Sequence, residues 1–290
     1  MKSGVTMAAA KKESPKTILF VNSGGKKKRF TLDVAKKLGY DIILLNAQND
    51  VGKTARYFIE ADTYNHGECV DRLQQFIADH PKVKIDGAIT FWEDDIPLLA
   101  RLCREFKLTG NSSTAAMQTR NKFRMRSRLE QTGLPVPQYH LVRTENDLKE
   151  AIDTIEFPAV IKPVWGADSE FVVRVDDADD ADRVFKYLKA NCTPDFNPIF
   201  NYNGGQFLYE EYVPGMEVSV ECIVQHGIPH VVGIIEKMPA NEPYFVERGD
   251  IAPARLTEGA RAKAVKIAEA SLIALSVENS LGHIEMKLSP

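Results

Sequence analysis

Apolar positions fall along this chain in two rhythms, and the change between them comes near its middle. Thr17-Ile-Leu-Phe-Val21 is a short apolar run that predicts a buried strand, with a turn over Asn22 to Gly25 and a helical stretch through Lys37. Gly39 closes that helix, and Asp41 to Leu45 predicts the next strand. Gly87 to Phe91 repeats the pattern ahead of a helix carrying Ile96, Leu99, Ala100 and Leu102 at helical spacing. Strand and helix alternating in this way predict a parallel sheet covered on both faces, a Rossmann-like unit over residues 16–108. The Gly24-Gly25 turn lacks G-x-G-x-x-G spacing and has lysines where the third glycine belongs, so a plain turn is expected there.

Thr109 to Ser113 predicts a turn and helix cap before a cationic helix over Thr119 to Gln131. Gly133-Leu-Pro-Val-Pro137 ends that helix, because proline cannot continue it and restrains the residue before it. From Phe157 the rhythm becomes one of strands: Ala159 to Val164, Phe171 to Val175, Phe207 to Val213, Val218 to Val224 and His230 to Lys237. Helices are predicted over Ala178 to Ala190 and Glu258 to Leu275, and a closing strand over Gly282 to Leu288. An α+β unit is therefore expected from Phe157 onward. The polar stretch over residues 1–15 predicts a disordered leader.

Composition narrows the functional classes. Of the 290 residues, 44% are hydrophobic and 27% charged, ordinary for a globular protein, and the net charge is −3. No broad basic field exists to attract phosphates, which argues against a nucleic-acid or membrane-surface protein. The cysteines Cys69, Cys103, Cys192 and Cys222 form no C-x-x-C pair, so neither a zinc site nor a disulfide framework is expected, and a cytoplasmic setting is.

Three constellations could carry chemistry. Lys162 lies within the apolar run Phe157 to Trp165, where an unpaired ammonium is costly to bury. It is either an outward-facing lysine on an edge strand or the countercharge of an anion held by the small-residue turn Gly166-Ala-Asp-Ser169. In Leu208 to Glu217 the carboxylates Glu210 and Glu211 end a strand, a Pro-Gly turn follows, and period-two alternation sets Glu217, Ser219 and Glu221 on one face. A charged solvent face of a hairpin accounts for these equally. In Gly282 to Leu288 the same alternation sets His283, Glu285 and Lys287 on one face, either a polar strand face or a carboxylate placed for Mg²⁺.

In order and spacing these segments resemble the ATP-grasp superfamily from about Lys16 onward, most specifically in Arg120-Asn-Lys122, Val160-Ile-Lys-Pro163 with its loop, and Glu210-Glu-Tyr-Val-Pro-Gly-Met-Glu217. The resemblance implies a Rossmann-like pre-ATP-grasp domain over residues 16–108 followed by a two-lobed ATP-grasp domain over residues 109–290, with a central lid lobe at about 155–213, holding ATP between its lobes. It implies phosphate contacts from Lys122 and Lys162, a flexible loop from Gly166 to Ser169, an adenine-reading hinge at Glu210, Glu211 and Val213, and a ribose contact at Glu217. Lys237 resembles the later phosphate-contacting lysine, here taken as catalytic, and Glu285 the first ligand of Mg²⁺ (or Mn²⁺). Glu170 departs from the pattern, since a small or uncharged residue is commoner in that loop, and its charge is expected to weaken phosphate binding.

The implied activity is an ATP-dependent ligase that activates a carboxylate as an acyl phosphate and joins it to an amine. Asn241 to Asp250, Ile251 to Arg255 and Gly282 to Glu285 resemble amino-acid ligases making dipeptide-like products. Glu93 is either a substrate-ammonium contact or an ordinary acidic helix start, and His283 is a further substrate candidate. Small-molecule carboxylate and amine partners and a homodimer are expected. The alternatives are a biotin-carboxylase-like ligase and a non-catalytic nucleotide-binding regulator. A Glu-x-Asn strand that the resemblance places after Glu285 is not present by Pro290, so a truncated chain with ATP affinity and weak turnover is also expected.

Overall fold

The computed structural model describes residues 15–238 and 242–289; the expected leader, Pro15 apart, and Asn241 of the segment read as amino-acid-ligase-like lie outside the described residues. The chain divides into two compact units, one ending at Trp92 and one beginning at Glu93.

In the first unit β1 (Thr17–Val21), α1 (Gly25–Lys28), α2 (Phe30–Lys37), β2 (Asp41–Asn46), β3 (Tyr57–Glu60), α3 (His66–Asp79) and β4 (Gly87–Ile89) follow one another. The four strands are all parallel, in the order β3-β2-β1-β4. Parallel strands are buried on both faces, which is why Leu19, Val21 and Ile42 to Leu45 are essentially inaccessible. Phe20, Ile42 and Leu44 pack with Leu32 and Ala35 of α2.

The second unit opens with α4 (Ile96–Glu105), α5 (Ser113–Arg120) and α6 (Lys122–Gln131). The single cationic helix expected from Thr119 is therefore two helices. Asn121 takes an extended conformation between them, and its side chain accepts from the Arg124 N–H to cap α6. Next come β5 (Tyr139–Val142), α7 (Glu145–Thr154), β6 (Ala159–Pro163), β7 (Val173–Val175), α8 (Ala178–Asn191) and β8 (Phe207–Glu211). These strands form an antiparallel sheet in the order β5-β8-β6-β7. One face of it, with Ala159, Ile161, Val175, Phe207 and Tyr209, packs on Ala151 of α7 and on Val184, Phe185 and Leu188 of α8.

The remaining elements are β9 (Met216–Gln225), β10 (Ile228–Lys237), β11 (Asp250–Ile251), α9 (Glu258–Ala274) and β12 (Ser280–Leu288). Their sheet runs β11-β10-β9-β12. Val218, Val220, Cys222 and Val224 of β9 turn inward onto Ala264, Ala268 and Leu272 of α9, with Met125 and Leu129 of α6 in the same core. All four cysteines are buried thiols and form no disulfide. Among the described residues no helix is long and apolar enough to cross a membrane.

Candidate functional site

Strand alternation builds the site. In the β5-β8-β6-β7 sheet, Glu210 stands opposite Tyr139 and Val160, and Lys162 opposite Leu208, so Glu210 and Lys162 are diagonal neighbours on the face turned away from α7 and α8. Lys162 is thus on an interior strand, with β8 on one side and β7 on the other, and not on an edge. Its ammonium forms an ion pair with Glu210 Oε2. Arg126 of α6 donates from Nε to the other oxygen, Oε1, at 2.6 Å. Glu210 is 3% exposed. Burial alone would raise its pKa, but Lys162 and Arg126 hold it down to about 2.

Lys122 begins α6, its backbone N–H donating to Val164 O at 2.8 Å and its Nζ to Gly166 O at 3.1 Å. The helix start is therefore fastened to the loop that follows β6. Burial pushes the Lys122 ammonium down to about 7; the like charges of Lys162 and Arg120 push the same way, while Glu210 and Glu285 oppose them. In the loop itself Gly166 is buried, and Asp168, Ser169 and Phe171 hold left-handed conformations. Glu170 is engaged by Asn197, whose Nδ2 donates to its Oε2 at 2.9 Å.

The β9–β12 register places Glu217 opposite Lys287, Ser219 opposite Glu285 and Glu221 opposite His283. The two polar faces read separately from the sequence are thus one charged row. Lys287 lies 2.9 Å from Glu217 Oε2, and the Ser219 hydroxyl donates to Glu221 Oε1 at 2.9 Å. His283 bridges Glu221 at 2.7 Å and Glu285 at 3.3 Å. Hydrogen bonds to Glu221 and then Glu285 raise its pKa to about 10. Lys237 of β10 contacts Glu285 and also Glu247, the latter at 2.6 Å. Burial works against its charge, yet these two partners raise its pKa above the usual lysine range. The His283 hydrogen bond, with help from Lys237 and against burial, holds Glu285 down at about 2.

The other expected site residues take less central places. Glu211 is exposed at the end of β8, its carboxylate accepting from the Gln138 N–H at 3.1 Å, and Val213 is half-buried just beyond it. Glu93 accepts from Arg120 Nη1 at 2.8 Å, so an internal cation already meets it. Arg126, Arg120 and Glu247 were given no role in the sequence, although Arg120 stands in the Arg120-Asn-Lys122 motif and Glu247 in the segment from 241 to 250. For Arg126 a signal existed: it follows Lys122 by four residues, which puts both cations on one side of a helix.

As a metal site the donors fit in part. Among the described residues no group of three or more His, Cys, Asp or Glu side chains is arranged around a common point. Glu285 supplies one ionised carboxylate, and Mg²⁺ takes one or two carboxylates together with substrate phosphate oxygens.

Comparison with known proteins identifies the family. Residues 141–290 match the model of the ATP-grasp domain. The chain is 24% identical to carnosine synthase 1 of Homo sapiens over 288 residues, covering 94% of this chain and 35% of that protein. It is 29% identical to the alanine–anticapsin ligase of Bacillus amyloliquefaciens over 218 residues, covering 70% of this chain and 45% of that one. The solved structure of an L-amino acid ligase from Bacillus licheniformis superposes with a TM-score of 0.83 at 27% identity, over 96% of this chain and 66% of that one.

Proposed function

The chain belongs to the ATP-grasp domain family, and we propose that it binds ATP between its two antiparallel sheets as part of a ligase that joins a carboxylate to an amine. The observation that carries this reading is the Lys122 ammonium, bonded to the loop after β6 and within electrostatic reach of both Lys162 and Glu285 of the opposite sheet. Cations on one side and a carboxylate row on the other are what a polyphosphate with its divalent ion requires.

The site residues divide the work by position. Lys122 and Lys162 neutralise phosphate oxygens, and the backbone around Gly166 to Ser169 approaches them closely. Glu210, Glu211 and Val213 border the adenine. Glu217 receives the ribose hydroxyls, giving up Lys287 to do so. Glu285, with phosphate oxygens, would hold Mg²⁺ or Mn²⁺, whose charge would stabilise the transferring phosphoryl group. Lys237, paired with Glu285 and Glu247 in the free chain, would contact the γ-phosphate. A substrate carboxylate oxygen attacks the γ-phosphorus, ADP leaves, and an amine nitrogen then attacks the acyl carbon, expelling phosphate and losing a proton. The protein's contribution is positioning and charge neutralisation.

Similarity to carnosine synthase, alanine–anticapsin ligase and L-amino acid ligase supports amino acids as the small-molecule substrates. Four buried thiols without a disulfide support a reducing cytoplasm. Calorimetric titration with MgATP is the test. Micromolar binding by the chain, lost on Lys162→Ala, is expected; absence of binding by the parent chain would overturn the nucleotide site.

A further inference from the structure

Glu210 is the one buried carboxylate serving two cations across the middle sheet, and its two oxygens are divided between them. Lys162 takes Oε2 and Arg126 takes Oε1 at 2.6 Å. A buried one-to-one pair would neutralise Lys162 and hold its ammonium back from an anion. Sharing the carboxylate leaves Arg126, Lys162 and Glu210 together with a net positive charge beside Lys122. The Glu210 backbone is held in place, because β8 is paired along both edges there. Arg126 is equally fixed, sitting one helical turn after Lys122 on a helix whose Met125 and Leu129 are anchored in the other lobe's core.

We infer that Arg126 is a positioning residue of the nucleotide site: by occupying one oxygen of Glu210 it keeps the Lys162 ammonium placed and available for phosphate. This rests on the proposed nucleotide site, and it adds a residue on a third element to it. Arg126 acts through Glu210, not by touching the ligand. Replacing it lets Glu210 close on Lys162 with both oxygens, so phosphate must then compete with a complete buried ion pair.

The test is MgATP titration of the whole chain and its variants, with thermal melting recorded beside each. Arg126→Gln should weaken binding about tenfold or more, as expected for breaking a coupled charge network; its melting temperature falls as well, because buried Glu210 loses a partner, but the transition stays cooperative and above the titration temperature. Arg126→Lys should recover most of the lost affinity. In the Glu210→Gln background, where no carboxylate remains to be shared, Arg126→Gln should change affinity by less than about twofold. Three results would overturn the inference: parent-like affinity in Arg126→Gln, a loss that Arg126→Lys does not relieve, or losses that simply add in the double variant. Failure of the parent chain to bind would remove the nucleotide site and this role together, whereas normal parent binding with any of those three results removes only the role of Arg126.

Discussion

At the scale of the residue, the most consequential group is the Lys122 ammonium. Its desolvation and the like charges of Lys162 and Arg120 outweigh the attraction of Glu210 and Glu285, and its pKa falls to about 7 from 10.5. A lysine depressed by folding makes the folded state bind fewer protons than the unfolded one. Its destabilising effect is full below about 7 and is relieved as pH rises toward 10.5. A bound polyphosphate favours the charged form, so nucleotide binding at pH 8 should take up as much as about one proton. Titrations in two buffers of different ionisation enthalpy should give different observed heats, and Lys122→Gln should remove the difference. Equal heats in both buffers for the parent chain would show that Lys122 stays charged without ligand. Glu210 has the opposite sign. Its pKa of about 2 contributes stability above 4.5 that is lost as pH falls toward 2, so Glu210→Gln should flatten the acid limb of urea-unfolding midpoints.

Elements decide where these residues meet, and turns decide where the elements start. Gly215 lies between β8 and β9 with φ +123, and a Cβ there would come within 2.2 Å of Leu288 O. Gly215→Ala should therefore cost about 1–3 kcal/mol in urea unfolding and shift Glu217 away from Lys287, weakening nucleotide binding. Unchanged stability would mean that the end of β12 yields freely. The alternations in β9 and β12 were legible in the sequence because a period of two is a local property. Their mutual register was not, since nothing in either segment says that His283 faces Glu221. The break at Asn121 had a visible cause in the capping preference of asparagine. β5 and α7 were passed over, although Thr144 and Asp147 form a capping box that marks the start of α7. Contacts such as Arg126 with Glu210, or Tyr212 and Arg174 with Glu242, join distant segments and exist only once the sheets have formed.

For the molecule as a whole, every residue assigned here to nucleotide binding lies beyond Glu93, in a unit with two apolar cores of its own. A chain lacking the first unit should bind MgATP within about twofold of the full chain, since it keeps every residue proposed to contact the nucleotide; a larger loss would mean that the second unit does not bind on its own. The sequence anticipated both the Rossmann-like and the α+β character, because strand–helix alternation and hairpin spacing are written over long windows. The division after Trp92 was harder to read: α4 continues the helical rhythm of the first unit yet belongs with the second. The β9–β12 pairing also constrains how such a chain can diversify. The charged row and the apolar layer beneath it alternate along the same strands, so one inserted codon between Ser280 and Glu285 would turn charged side chains toward α9 and apolar ones toward the ligand. Lineages can lengthen the loops freely, but in β12 they can drift only by substitution.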